Sequence, residues 1–334
     1  MRAKFTKSGI TAIVLLAVCL LAGAVPVAAA AAGGEGDRPV PPNHGFLFDK
    51  DAYAIPGSQG ETVGSQAFSK LSLRLYGGYS HVLAADVNEG SDFYFELVEL
   101  YAAQSKGTVT GSYSPLHGGL NFGADLIYQI TPNVGVGLGA GYMRNSRRST
   151  ATWAFEASEY VLTAEPVLTA IPVRLGVFLT FPVGGRINLT ADAGAAYYAG
   201  LKFDATQRVD FNATEWQEMS VGSTEAGSAN VGFQGSLGLE YMVSPKMGFF
   251  VEAAGRYAKL GNFDRVTGIS NSSGGSSDTT DGKLYIATDT DPDFPISMFT
   301  IEETPPVDTA YETFREPKFD LSGFSLQAGI RIRL

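Results

Sequence analysis

Residues 324–334 read Phe-Ser-Leu-Gln-Ala-Gly-Ile-Arg-Ile-Arg-Leu, and their alternation decides the fold. Phe324, Leu326, Ala328, Ile330, Ile332 and Leu334 share one parity, while Ser325, Gln327, Gly329, Arg331 and Arg333 share the other. Successive side chains of a strand point to opposite faces, so this segment is a strand with one apolar face and one polar, charged face. It is also longer than the five or six residues usual for a soluble strand.

The same split recurs working back along the chain. Leu71, Leu73, Leu75, Gly77 and Tyr79 oppose Ser72, Arg74, Tyr76, Gly78 and Ser80. Further strands are read at 120–129, 134–142, 167–179, 187–197, 231–241 and 247–257, each with an apolar parity against a polar or glycine parity. With the first and last runs these make eight. Their connections alternate in length. Thr131-Pro132-Asn133, Pro182-Val183-Gly184-Gly185 and Ser244-Pro245-Lys246 are tight turns. Between them lie long polar segments at about 84–117, 146–165, 204–228 and 261–318.

Even strand number, short turns at one end, long loops at the other and an apolar-out, polar-in repeat predict an all-β fold. It is an eight-stranded antiparallel transmembrane up-and-down β-barrel with long extracellular loops. A lipid-embedded sheet cannot leave open edges and must close. A soluble ligand-binding barrel packs apolar side chains inside. Here the parity opposite the apolar face carries Arg74, Asp125, Arg174, Asp192, Glu240, Glu252, Arg256, Arg331 and Arg333. These five positive and four negative charges nearly cancel, as a paired lumen requires. They are the expected lumen charge network. Tyr128, Phe181, Tyr241 and Phe249 fall beside the short turns, and Tyr79, Tyr142, Tyr197, Tyr257 and Phe324 toward the long loops, as two aromatic girdles would.

Composition agrees. Of 334 residues only 17% are charged, 40 are Gly, 21 are Phe and 15 are Tyr. With 24 basic against 34 acidic residues, the net charge of −10 opposes a nucleic-acid-binding surface, which needs clustered cations. Arg2, Lys4 and Lys7 precede the apolar run Ile10–Val25 and small residues near Ala28–Ala32, the pattern of a secretory signal peptide over residues 1–30, with an uncleaved anchor as the rival. Cleavage there removes Cys19, the only cysteine, and with it any thiolate nucleophile or disulfide. Residues 31–69, with Pro39, Pro41 and Pro42, read as a periplasmic linker or a short plug, leaving 70–334 as the barrel.

On these strands the chain resembles the small outer-membrane barrels of Gram-negative bacteria, the OmpA/OmpW-like superfamily. The resemblance is carried by Leu71–His81, by Ile171-Pro-Val-Arg-Leu-Gly176 and by the terminal strand, and covers about residues 70–334. It implies outer-membrane localisation with both termini periplasmic and long loops extracellular. It also implies contact with outer-membrane lipid and insertion by the barrel assembly machinery through the C-terminal strand. That signal usually ends in Phe or Trp, and this chain departs from it in ending on Leu334.

Eight strands enclose only enough room for side chains or one small ligand. The expected function is therefore a non-enzymatic integral barrel with a side-chain-plugged lumen, acting structurally or through its loops. The alternative is a narrow conduit or pocket for small hydrophobic molecules, motivated by the bare face of Gly135, Gly137, Gly139 and Gly141. Neither reading calls for a cofactor. His81 and His117, with Ser80 and Ser114 nearby, are the material for a hydrolase reading, against interfacial hydrogen bonding. Phe93, Leu97, Leu100 and Tyr101 predict a short amphipathic helix ending before Gly107. Asp289, Asp291 and Asp293 have the spacing of a cation loop but lack its glycine and closing glutamate, so a solvated acidic loop is preferred and no metal site is expected. Asn271–Ser277 reads as a flexible tip.

Overall fold

Alternation at period two dictates where strands form, and the register shows what they build. The computed structural model of the chain describes residues 69–105, 107–223, 230–261, 263, 265–289, 296–304 and 311–334. The signal segment expected over 1–30, the linker expected over 31–69 except Ser69, and Asp291 and Asp293 lie outside the described residues. In chain order the elements are β1 (Leu71–Val82), α1 (Ala85–Ser91), α2 (Phe93–Ser105), β2 (Thr108–Ser112), β3 (Gly118–Gln129), β4 (Val134–Ser146), β5 (Ser149–Phe155), β6 (Ser158–Gly184) and β7 (Ile187–Asp210). There follow β8 (Trp216–Ser223), β9 (Val231–Ser244), β10 (Met247–Tyr257), β11 (Lys259–Leu260), β12 (Val266–Ser272), β13 (Ser277–Asp289), β14 (Ser297–Glu302), β15 (Tyr311–Arg315), β16 (Phe319–Asp320) and β17 (Gly323–Arg333).

All pairings are antiparallel, and they form a ring. The order is β1–β3–β4–β6–β7–β9–β10–β17, and β17 pairs back to β1 from Ser72↔Arg333 to Val82↔Gly323. Each alternating segment of the sequence falls within one member of this ring. The backbone N–H of Leu334 also donates to Leu71 O at 2.9 Å, joining the last residue to the first strand.

Burial around the ring is the reverse of a soluble protein's. Leu120 (67% exposed), Leu175 (65%) and Phe233 (63%) point outward, while Asp125 (0%), Glu240 (1%) and Glu252 (2%) point in. Large apolar side chains are exposed on all eight strands of the ring, which soluble monomers rarely show.

The long connections correct the sequence reading, because they are largely not loops. Segment 84–117 holds α1, α2 and β2. Segments 146–165 and 204–228 hold β5, β8 and the prolonged ends of β6 and β7, and 261–318 holds β12 to β15. Together they form a cap whose sheet continues β14–β13–β12–β8–β7 on one side and β6–β5–β2 on the other. Residues 271–277 are a hairpin turn between β12 and β13, closed by Ser272 N donating to Ser276 O at 3.0 Å with Gly275 at φ 83°. Strands β2 and β12 and the first half of β13 are rich in Ser, Thr and Gly, so their composition resembles a polar linker while their hydrogen bonding does not.

The parity of β7 switches at Gly200 (φ 55°), next to the register shift between Thr169 and Ile171 on β6. A bulge with glycine in the left-handed region inserts one residue and re-aims those beyond it. Ala196 and Tyr198 face in before it, and Leu201, Phe203 and Ala205 after it. Above this bulge the interior is apolar: Phe203, Phe319 and Phe263 pack with ring centroids 4.4–4.7 Å apart, joined by Leu284, Ile286, Leu321 and Val87 of α1. A smaller core, Phe95, Val98, Ala151, Leu162 and Ala164, lies under α2.

Candidate functional site: the lumen network and its cap

The inward parity of the ring gathers eight of the nine expected charged residues into two clusters. In the first, Arg74 of β1 donates to Glu252 of β10 and lies 3.5 Å from Asp192 and 3.9 Å from Asp125. Arg174 of β6 grips Asp125 with two donors, Nε to Oδ1 at 2.6 Å and Nη2 to Oδ2, and stands 3.7 Å from Asp192. Ser236 Oγ donates to Asp192. Both guanidiniums also lie on aromatic faces, Arg74 4.2 Å from the Phe250 centroid and Arg174 5.3 Å from that of Phe178. A charge removed from water is tolerated only when geometry and extra hydrogen bonds compensate its desolvation, and this cluster supplies both.

The second cluster lies toward the short turns. Glu240 accepts two bonds from Arg333 Nη2, at 2.8 and 3.0 Å, and one from Asn188 Nδ2 at 2.9 Å, with Arg331 3.9 Å away. Arg331 donates to Thr180 Oγ1 at 3.1 Å and to Ser72 Oγ at 3.2 Å. Across both clusters four arginines face four carboxylates.

Arg256 stands apart. It donates to Leu321 O at 2.7 Å and Ser80 Oγ at 3.0 Å, tying β10 to the link between β16 and β17 and to β1, and has no carboxylate partner among the described residues. Its inward parity was legible, but its role is to anchor the cap's backbone rather than to join the ion-pair network.

The glycine face is not an open slot. A Cβ at Gly137 would lie 2.6 Å from Phe178 Cε2, one at Gly135 2.8 Å from Ile127 Cγ2, one at Gly139 against Asp125 Oδ1, and one at Gly141 3.4 Å from Tyr76 Oη. Side chains of β3 and β6 therefore lie across β4 at Gly135, Gly137 and Gly139, while a Cβ at Gly141 would make ordinary contact with Tyr76 of β1 and come 3.1 Å from Phe122 O. Among the described residues, one cavity inside the ring of about 10 Å³ lies beside Arg74, Thr190 and Arg331, and another of about 20 Å³ beside Tyr76, Asn121, Tyr198 and Arg256. Roughly 10–15 Å³ holds one water, so neither accepts a small hydrophobic molecule in this conformation.

The two histidines beside the cap meet. His81 stacks between His117 and Phe324, centroids 5.3 and 4.9 Å away, and His117 Nδ1 lies 3.3 Å from Val82 O. Ser80, on the opposite parity from His81, accepts from Arg256, and Ser114 N is bonded to Ser149 Oγ at 2.9 Å. No serine hydroxyl is bonded to either imidazole among the described residues.

Sequence reasoning missed what holds the cap down. Arg315, the last residue of β15, pairs with Asp86 of α1 at 2.5 Å and with Glu89 at 3.1 Å, and Lys318 N donates to Asp86 Oδ2 at 2.6 Å. Ala84 N and Leu83 N donate to Asp320 O and Ser322 O at 2.9 and 3.0 Å. These partners lie more than 220 residues apart for Arg315 and Asp86, and no local pattern announces them. At the α1–α2 junction, burial pushes the Asp92 carboxyl up to about 7, and the Glu96 and Glu99 carboxylates push the same way.

No family model matches the chain, and no curated protein matches it. Among solved structures it is similar to the outer membrane protein OprG from Pseudomonas aeruginosa, at 12% identity and a TM-score of 0.29, covering 80% of this chain and 97% of that one. It is also similar to the outer membrane protease OmpT from Escherichia coli, at 6% identity and a TM-score of 0.31, covering 79% of this chain and 96% of that one.

Proposed function

We propose that the ring is an eight-stranded transmembrane up-and-down barrel of an outer membrane, closed inside by its own side chains. Its role is non-enzymatic, structural or one of surface interaction, exercised through the cap. Both termini lie on the periplasmic side and the cap on the extracellular side. One observation carries this reading: on the same strands, charged residues are buried and large aliphatic residues exposed. Only a surrounding solvent that is itself apolar makes that arrangement favourable, since the four carboxylates inside are paired with arginines and Arg256 is hydrogen-bonded, while Leu and Phe outside meet lipid.

The filled glycine face and the apolar core above the ion pairs support a plug rather than a conduit. Gel mobility of the unheated, membrane-extracted chain, together with conductance across a planar bilayer, tests the reading. A faster-migrating unheated band and no stepwise conductance are expected. A mobility independent of heating removes the barrel, and sustained conductance removes the plug.

A further inference from the structure

Within the ring the outward wall is free of charge until its border with the cap, where one row breaks the pattern. Arg144 of β4 pairs in register with Thr169 of β6, and Thr169 pairs with Lys202 of β7. Both cations point outward and are exposed. Three cations farther into the cap have acidic partners, Arg208 with Asp210, Lys259 with Asp320 and Arg315 with Asp86, while exposed Arg147 and Arg148 lie just beyond Arg144 on the cap side and add to the positive charge there. Arg144 and Lys202 have no ion pair among the described residues.

The rows on either side define the setting. Toward the ring lie Tyr142, packed 5.2 Å from Phe122, and exposed Ile171 and Val173. Toward the cap the next row is Ser146↔Val167↔Asp204, so the first carboxylate stands farther from the apolar wall than either cation. Neighbouring strands are about 4.8 Å apart, which places the Arg144 and Lys202 backbones about 10 Å apart with the Thr169 hydroxyl between them. Long basic stems close that gap while their heads stay at the polar border.

We propose that this row binds the phosphate of an anionic lipid in the leaflet next to the cap. The inference rests on the transmembrane reading above. The Arg144 guanidinium offers two parallel donors to two phosphate oxygens, Lys202 supplies a point charge, and the Thr169 hydroxyl donates a third contact. The acyl chains lie down the wall over Tyr142, Ile171 and Val173. An unpaired cation at an apolar border, in a chain of net charge −10, is positioned for a ligand that brings both a phosphate and a hydrocarbon tail.

The test uses the full chain in phosphatidylcholine vesicles doped with spin-labelled phosphatidic acid, reading the association of the label with the protein relative to labelled phosphatidylcholine. Preference for phosphatidic acid is expected. It should fall about fivefold in Arg144→Gln or Lys202→Gln and vanish in the double variant, whose heat-dependent gel mobility should be unchanged. Equal preference in wild type and double variant overturns the inference, as does loss of the preference on adding millimolar inorganic phosphate, which would make the row a site for the free anion. A chain that does not enter vesicles at all overturns the transmembrane reading instead.

Discussion

The lower ring and the cap are built from the same strands yet have opposite interiors. Below the bulge at Gly200, β6 and β7 send Arg174 and Asp192 inward and Leu175 and Leu189 outward. Above it they send Leu168 and Phe203 inward and Lys202 and Asp204 outward. A strand fixes only alternation, and which parity is apolar follows the solvent outside. On the proposed transmembrane reading, one chain meets a change of solvent along its own length, and the switch falls at the glycine bulge and the row Arg144–Thr169–Lys202.

The comparison breaks most sharply at the ion pairs. Arg174→Leu leaves Asp125 buried without its bidentate partner, and should cost about 3–5 kcal/mol in the urea midpoint of the heat-sensitive band in micelles. A loss below 1 kcal/mol would mean that the lumen is wet and the network ornamental. In the cap, Leu284→Ala opens a cavity in an aliphatic core and should cost about 2–5 kcal/mol. Because that core is separate from the ion pairs, limited proteolysis should show β12–β15 cut while the ring keeps its heat-dependent mobility. Simultaneous loss of both would show a single cooperative unit.

Leu175→Arg places a charge on the outer wall, and should cost about 2–4 kcal/mol in bilayers while leaving the cap's protease resistance intact. The same substitution would be nearly neutral if water surrounded the ring. The smallest effect concerns pH. Asp92 binds its proton more tightly folded than unfolded, so its contribution to stability is full below about pH 4 and is lost as pH rises through about 7. After allowance for solvent screening at this part-exposed site, Asp92→Asn should remove about 1 kcal/mol of that slope in the cap, seen by hydrogen exchange of α2.

The ring was legible because period-two alternation survives burial of either face, as residues 324–334 show. Arg256 obeys that alternation, yet its partners, Leu321 O and Ser80, lie on segments that alternation does not bring together. The glycine face left its filling open, since the atoms that occupy it, of Ile127, Phe178, Asp125 and Tyr76, belong to neighbouring strands. The cap was the harder region. Helix α2 runs where Phe93, Leu97, Leu100 and Tyr101 place it, but it buries Phe95 and Val98 and leaves Tyr101 exposed. Apolar residues on most of its circumference make several faces plausible, and only the β5–β6 surface beneath selects one.

The most direct test of the inside-out ring is depth-dependent quenching. With Cys19 replaced, single cysteines at Leu175, Leu326 and Thr280 are labelled with an environment-sensitive fluorophore in vesicles containing brominated lipid. The account predicts strong quenching at 175 and 326 and none at 280, on the exposed cap hairpin. Equal, water-like emission at all three positions would contradict it.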